Sequence, residues 1–347
     1  MVFKVRCSGS PYEIGQDHGR QARAQIHGCI AFYTGMFQKT ASLGWDAVQA
    51  TALEFVPTIQ TKWPALLEEM QGIADAAGLL LADIVALNVR TEIAFGLFSD
   101  GCTALAWQTP DTVFLAQNWD WMEEQKENLV LVHITQPGLP SVKYLAEAGL
   151  VGKIGLNSNG VGVLLNAIRA QGVDRTRLPV HLALRVLLNA ESMAAARAAV
   201  EKDGIAASCH ILLGDRTGAV GLECSHLGIQ ALAFSDKKRI HHTNHFLLDH
   251  PSVQDTRWIP DSTFRQRRIE ALADGVQGNN VNVPRLQELF KDTVNVPGAI
   301  CRSATKDNTV ATLFNIVMDL GKATAEVLMG RPNAPDEKIT LAFAGEA

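Results

Sequence analysis

Apolar positions along the chain follow one rhythm before residue 102 and another after it. From 12 to 94 the spacing is helical. In YEIGQDHGRQARAQIHGCIAFYTGMFQK, the residues Ile14, His18, Ala22, Ile26, Ile30, Tyr33 and Phe37 recur every three or four positions, as on one helix face. Pro64 opens a second amphipathic stretch, PALLEEMQGIADAAG, which Gly78 stops, and Leu81-Ala82-Asp83-Ile84 opens a third. After Cys102 the period falls to two. The alternation predicts strands at about 102–108, 112–118, 128–134, 141–147, 151–157 and 160–167, with turns at Pro110-Asp111, Pro137-Gly138 and Asn159-Gly160. A helical pattern runs from Pro179 to about Glu201. Strands resume at about 208–213, 218–224, 228–234 and 239–245, with Asp215 to Gly218 as a hairpin turn. Helices at about 262–274 and 284–292 follow, then strands at 309–318, 324–329 and 338–344. With no repeat, low-complexity run or linker, the pattern describes one α+β layered unit over 1–347, whose consecutive strands are expected to pair antiparallel.

Composition narrows the class. The 347 residues are 47% hydrophobic and 19% charged, which suits a sizeable core. Net charge is −5, and the 31 basic residues form no dense run, which argues against a nucleic-acid footprint. The six cysteines (Cys7, Cys29, Cys102, Cys209, Cys224, Cys301) stand far apart with no CxxC pair, the usage of a reduced protein rather than a disulfide scaffold. The start, MVFKVRCSGS, lacks the apolar core of a secretory signal, and no apolar run approaches the roughly 20 residues of a membrane span. The closing Gly345-Glu346-Ala347 is not an SKL-like peroxisomal tripeptide. The expectation is an intracellular, cytoplasmic protein with neither nucleic acid nor membrane as partner.

The rhythm changes at Ser99-Asp100-Gly101-Cys102-Thr103. In isolation, Cys102 reads as a small buried hydrophobe opening a strand. A nucleophilic thiol needs a base, and no Cys/His pair announces one. The α-amine of Cys102 itself, with an ordinary pKa of about 7.7–8.0, would serve if the Gly101–Cys102 bond were broken. Attack of the thiol on the Gly101 carbonyl, followed by hydrolysis of the thioester, would break it, and glycine tolerates the strained approach. Nucleophile and base would then share one residue, as in the N-terminal threonine variants of acyl transfer.

DGCTALAWQ followed by LAQNWDW resembles the N-terminal nucleophile (Ntn) acyltransferases that include acyl-coenzyme A:isopenicillin N acyltransferase. Further stretches match in order over most of the chain: KENLVLVHITQPGLPSVKYLAEAGLVGKIGLNSNGVGVLLNA, GLECS, HHTNHFLL, ICR, ATLFNIVMDL and GRPNAPDE. The resemblance implies an αββα four-layer sandwich, with two antiparallel sheets between helical layers. It implies a precursor that cuts itself between Gly101 and Cys102 into an α fragment (1–101) and a β fragment (102–347), held together as a heterodimer. It also implies an enzyme that takes the acyl group of an amide or acyl-thioester donor onto Cys102 and passes it to an amine (acyltransferase) or to water (amidohydrolase). A catalytically silent scaffold of the same fold is the remaining reading, against which the joint presence of Cys102, Asp120 and Asn244 argues. No metal or bound cofactor is implied; coenzyme A would enter only as part of an acyl-thioester substrate.

The resemblance places Asp120, in NWD, near the cysteine's amine, where a carboxylate favours the protonated form and orients it. It places Asn244, in HHTNH, as an amide donating to the oxyanion. A metal site in HHTNH fails on spacing: on a strand, His241 and His245 share a face but lie about 13 Å apart at roughly 3.3 Å per residue. Ser225, in GLECS, matches a family serine near the site and reads equally as a strand-end hydroxyl. Thr103 follows the nucleophile, and Trp119 and Trp121 flank Asp120 as core or pocket wall. Glu147 and Asn166 interrupt apolar strands, as buried hydrogen-bonding groups or pocket lining. Arg302, in ICR, is retained. Two positions depart from the penicillin-forming members: Ala104 replaces a second threonine, and Asn308-Thr309-Val310 stands where they have an arginine before ATLFN. These departures bear on substrate choice and leave the acyl chemistry in place.

Overall fold

The computed structural model describes residues 1–94, 101–254, 259–276 and 281–343. Ser99 and Asp100 of the turn before the cysteine, and the closing tripeptide, lie outside them. The described strands are β1 (Phe3–Ser8), β2 (Gly101–Gln108), β3 (Val113–Met122), β4 (Leu129–Thr135), β5 (Val142–Glu147), β6 (Ile154–Asn157), β7 (Gly162–Ala167), β8 (Cys209–Asp215), β9 (Gly218–Cys224), β10 (Ile229–Leu232), β11 (Arg239–His242), β12 (Val310–Asp319), β13 (Thr324–Arg331) and β14 (Ala334–Leu341). They form two sheets. The larger runs β1-β4-β5-β6-β7-β8-β9-β10 and the smaller β11-β2-β3-β12-β13-β14.

Alternation in the central strands sets the layers. Cys102, Ala104 and Ala106 of β2 point with Trp119 and Leu115 of β3 into the core between the sheets, where β2 and β3 pack on β7. Leu105, Phe114 and Ala116 point the other way, onto Ile269, Ala273, Leu286 and Leu289 of helices Ser262–Asp274 and Val283–Leu289. Helices Arg23–Ala41, Val180–Leu188 and Met193–Asp203 lie on the larger sheet. The order of layers is therefore αββα. Among the N-terminal helices, Pro11–Gln21 and Pro64–Ala77 touch backbone to backbone. A Cβ on Gly15 would stand 2.0 Å from the Glu69 carbonyl oxygen, and one on Gly72 2.2 Å from that of Tyr12.

Four expectations are corrected. The first helical stretch breaks at Ala22, between helices Pro11–Gln21 and Arg23–Ala41. The pattern from Pro179 to Glu201 is two helices, because Ser192 caps the second, its hydroxyl accepting from the Ala195 N–H at 3.2 Å. The larger sheet is not wholly antiparallel. β1 joins β4 in parallel, and a pairing between segments so distant in the chain has no hairpin to dictate its direction. The strand expected at 239–245 stops at His242, so the shared face of His241 and His245 does not exist. Instead His245 Nδ1 pairs with Ser262 Oγ at 2.8 Å. No described helix is long and apolar enough to cross a membrane.

Candidate active site

β2 begins at the bond in question. Gly101 pairs with Asp120 and Cys102 with Trp119, so the Cys102 side chain shares the inner face with Trp119, while Asp120 lies on the Gly101 side. Cys102 is 1% exposed. Its N–H donates to Asn244 Oδ1 at 2.9 Å, and its carbonyl accepts from Arg265 Nη1 at 2.6 Å. The same Nη1 donates to Thr103 Oγ1 at 3.1 Å, and Arg265 Nη2 donates to Asn244 Oδ1 at 2.8 Å. At its other end Asn244 Nδ2 donates to the Ala167 carbonyl at 2.9 Å. Two donors meet one end of the amide and an acceptor the other, which fixes its orientation: oxygen toward Cys102, nitrogen toward Ala167. Arg265 is the hub of this group and was not singled out from the sequence. The signal available was phase. It falls with Ser262, Ile269 and Ala273 on the buried stripe of its helix, and an arginine there needs internal partners.

The Gly101 side is ionic. Asp120 Oδ1 accepts from Thr312 Oγ1 at 2.6 Å and Oδ2 from Arg302 Nε at 3.0 Å, while Arg302 Nη2 donates to Asp261. A Cβ on Gly101 would stand 2.8 Å from the Arg302 guanidinium, so any larger residue would have to displace a side chain held by Asp120 and Asp261. Two guanidinium groups, Arg265 and Arg302, and two carboxylates, Asp120 and Asp261, thus surround the Gly101–Cys102 bond. Removing one member of such a buried group costs about 3–5 kcal/mol.

Burial pushes the Asp120 carboxyl from 3.8 up to about 7, against the pull of Arg302, Arg265 and Thr312. Its folded value lies above its unfolded one, so its contribution to stability is whole below about pH 4 and is lost as pH rises through about 7. Asp120→Asn should therefore show a shallower decline of stability between pH 4 and 7 in urea unfolding. An unchanged slope would assign that titration to other groups.

Two cavities lie near the bond. A narrow slot of about 50 Å³, walled by Trp119, Trp121, Leu165, Ala167 and Ile168, lies beside Trp119, the cross-strand neighbour of Cys102. On the Gly101 side a wider groove of about 820 Å³ is lined by Gly101 itself with Asp261, Phe264, Pro297 and Arg302.

The other expected residues divide. Glu147 does not touch Cys102. It accepts from Tyr33 Oη and Arg90 Nη2, both at 2.7 Å, and from Lys153 Nζ, and that ammonium lies 3.8 Å from the centre of the Trp119 ring. Burial alone would raise Glu147, but Arg90 and Lys153 outweigh it and hold the carboxyl down to about 2. Asn166 pairs with His210 Nδ1 at 3.1 Å and donates to the His242 carbonyl at 3.4 Å, next to the Ala167–Asn244 contact. Ser225 closes the turn between β9 and β10, accepting from the Leu227 and Gly228 N–H groups at 3.2 Å. Thr309 is exposed, its carbonyl accepting from the Glu123 N–H. Neither Ser225 nor Thr309 joins the group around Cys102. Glu223, which the sequence reading passed over, pairs with His242 Nε2 at 2.8 Å and accepts from the Leu247 and Leu248 N–H groups at 2.7 and 3.0 Å. It thereby fastens both ends of the loop that carries Asn244. No described group of three or more His, Cys, Asp or Glu residues is placed to hold a metal ion.

A four-layer αββα sandwich with a thiol at the head of an inner strand defines an N-terminal nucleophile hydrolase fold. A variant of conjugated bile acid hydrolase from Clostridium perfringens shares that fold, with a TM-score of 0.52 at 12% identity over 71% of this chain and 94% of that one. Penicillin V acylase from Agrobacterium tumefaciens gives a TM-score of 0.47 at 12% identity over 70% and 86%. The chain belongs to the acyl-coenzyme A:6-aminopenicillanic acid acyl-transferase family, whose model matches residues 107–334. It is 40% identical, over 99% of its length and 97% of the relative's, to the acyl-coenzyme A:6-aminopenicillanic-acid-acyltransferase 40 kDa form of Emericella nidulans. It is an enzyme of the acyltransferase and amidohydrolase class, acting on amide bonds.

Proposed function

We propose that the chain is an autoprocessing acyltransferase whose nucleophile is the thiol of Cys102. The thiol attacks the Gly101 carbonyl carbon, the Gly101–Cys102 C–N bond breaks, and the departing nitrogen takes a proton to become an α-amine. Water then hydrolyses the Gly101 thioester, leaving a carboxylate on Gly101 and a free thiol on Cys102. The observation that carries this reading is the convergence on one peptide bond: Asn244 on its N–H, Arg265 on the following carbonyl, and Arg302 close against Gly101.

Fragments 1–101 and 102–347 would stay together as a heterodimer. Arg90 with Glu147 (2.7 Å) and Glu69 with Arg185 (2.8 Å) are buried ion pairs across the cut, and β1 is part of the larger sheet. In the processed enzyme the amine of Cys102 accepts the thiol proton as sulfur attacks the donor carbonyl. The tetrahedral oxyanion collapses to a Cys102 thioester, and the leaving group departs with a proton. An acceptor amine then attacks the thioester. Water entering by the wide groove would make the same enzyme an amidohydrolase. An acyl-thioester donor, with acyl-coenzyme A as substrate rather than cofactor, and a primary-amine acceptor are the classes carried over from the relative's name. Six buried cysteines, far apart in the sequence, suit a reducing intracellular compartment.

The test is mass measurement on quenched reactions of the processed protein with an acyl-coenzyme A donor. The 102–347 fragment should gain the mass of the acyl group and lose it when an amine is added, with the N-acyl product appearing. Product formed without any adduct on that fragment would overturn the thioester reading.

A further inference from the structure

The slot beside Trp119 contains a group that this chemistry leaves unused. His181, second in helix Val180–Leu188, is 1% exposed and lines the slot with Trp119, Trp121, Leu165 and Ile168. Neither of its ring nitrogens has a hydrogen-bond partner among the described residues. A buried imidazole without partners has given up its bonds to water and gained none, and folded proteins retain few such groups. Burial, with Arg90 and Lys153 nearby, holds its pKa well below the ordinary value, so the ring is neutral, with one donor and one acceptor nitrogen.

Charged groups surround it. Arg90, Lys153 and Arg169 line the slot, and Glu147 is the carboxylate bonded to Arg90 and Lys153. Glu92, which accepts from the Val180 N–H at 2.7 Å, is pushed up to about 7 by burial and is only partly ionised near neutrality. The slot is thus aromatic and apolar along its walls, with a neutral imidazole awaiting a polar atom.

We propose that this slot receives the acyl group of the donor and that His181 selects acyl chains bearing an oxygen atom in their far part, to which it donates its N–H. The inference rests on the Cys102 thioester reading, because Trp119, directly across the sheet from Cys102, is what assigns the slot to the acyl group. A hydroxyl and a carboxylate offer the same accepting oxygen, and the experiment distinguishes them.

The experiment compares three acyl-coenzyme A donors of equal chain length, ending in a methyl, a hydroxyl or a carboxylate. Each is given to the processed unchanged protein, His181→Phe and His181→Gln, and the rate of acylation of fragment 102–347 is read by mass. The unchanged protein should prefer one or both oxygen-ended donors by about tenfold or more over the methyl-ended one. His181→Phe should erase the preference by slowing those donors alone, while His181→Gln, which keeps a donor and an acceptor, retains part of it. Preference for the carboxylate assigns an anion, and equal preference for both oxygens assigns a neutral acceptor. Thermal unfolding gives a second readout: replacing an imidazole with no partners should leave Tm unchanged or raised. Should His181→Phe not fold, the smaller His181→Leu carries the comparison. No preference in the unchanged protein, a preference that survives in His181→Phe or His181→Leu, or a marked fall in Tm with selectivity intact overturns the proposal. Absence of any adduct from all three donors is a different result, and it sinks the thioester reading itself.

Discussion

Purified Cys102→Ala is expected to remain one uncut chain and to transfer no acyl group, whereas the unchanged protein should separate on a denaturing gel into fragments 1–101 and 102–347. The substitution removes one sulfur atom from a site that is 1% exposed, inside a strand whose backbone bonds to Asn244 and Arg265 do not involve that atom. The cost to folding is therefore on the order of 1 kcal/mol, too little to unfold a domain. Loss of cleavage would then report chemistry and not misfolding, which circular dichroism of the variant can verify. Sequencing the larger fragment of the unchanged protein should read Cys102-Thr103-Ala104; another first residue, or an intact chain after long incubation, would reject cleavage at this bond. Turnover should fall by roughly 10⁴-fold or more, as when a covalent nucleophile is deleted elsewhere. Cys102→Ser should cut slowly, because a hydroxyl is harder to deprotonate than a thiol. An alanine variant retaining a tenth of normal activity would place the nucleophile on another residue.

The bond itself is the most legible feature of the sequence, because the change of apolar period falls on it. Cys102, Thr103, Asn244, Asp120 and Arg302, each drawn from a motif, gather around it in the structure. Arg265 and Glu223 were hidden for separate physical reasons. Arg265 is one of three arginines in FRQRR, and only its phase along the helix distinguishes it from the exposed Arg267 and half-buried Arg268. Glu223 lies in β9, which is buried along its whole length, so alternation there carries no contrast between inside and outside. Its partners, His242 and the Leu247 and Leu248 N–H groups, lie 19 to 25 residues further on. The parallel docking of β1 is hidden because local pattern specifies which residues turn inward and not which distant strand they join. Val5 and Cys7 do alternate inward as a strand requires, and β4 supplies the partner only once the sheet exists. His181 is a plain helical position by pattern, and its lack of partners is visible only in three dimensions.

Asn244→Asp, made in protein assembled from co-expressed fragments 1–101 and 102–347 with the start methionine trimmed from Cys102, should lower kcat by roughly 10²–10³ and change KM little. The structure separates two uses of this amide. Its oxygen accepts from the Cys102 N–H and from Arg265 Nη2, whereas its nitrogen donates one hydrogen to the Ala167 carbonyl, and the proposed oxyanion role would use the second. Ala167 also lines the slot proposed for the acyl group. Aspartate preserves the accepting oxygen and the shape but cannot donate. An oxyanion exists only in the transition state and the tetrahedral intermediate, so losing its donor slows turnover without weakening substrate binding. The second carboxylate oxygen would face the Ala167 carbonyl at a cost of about 1–3 kcal/mol, and thermal unfolding of the variant measures that penalty separately. Asn244→Ala completes the comparison by removing both uses. If the aspartate variant turned over at the unmutated rate while the alanine variant did not, the oxygen alone would matter. Asn244 would then be a clamp on the cysteine's nitrogen, and the oxyanion would have to find its donor elsewhere.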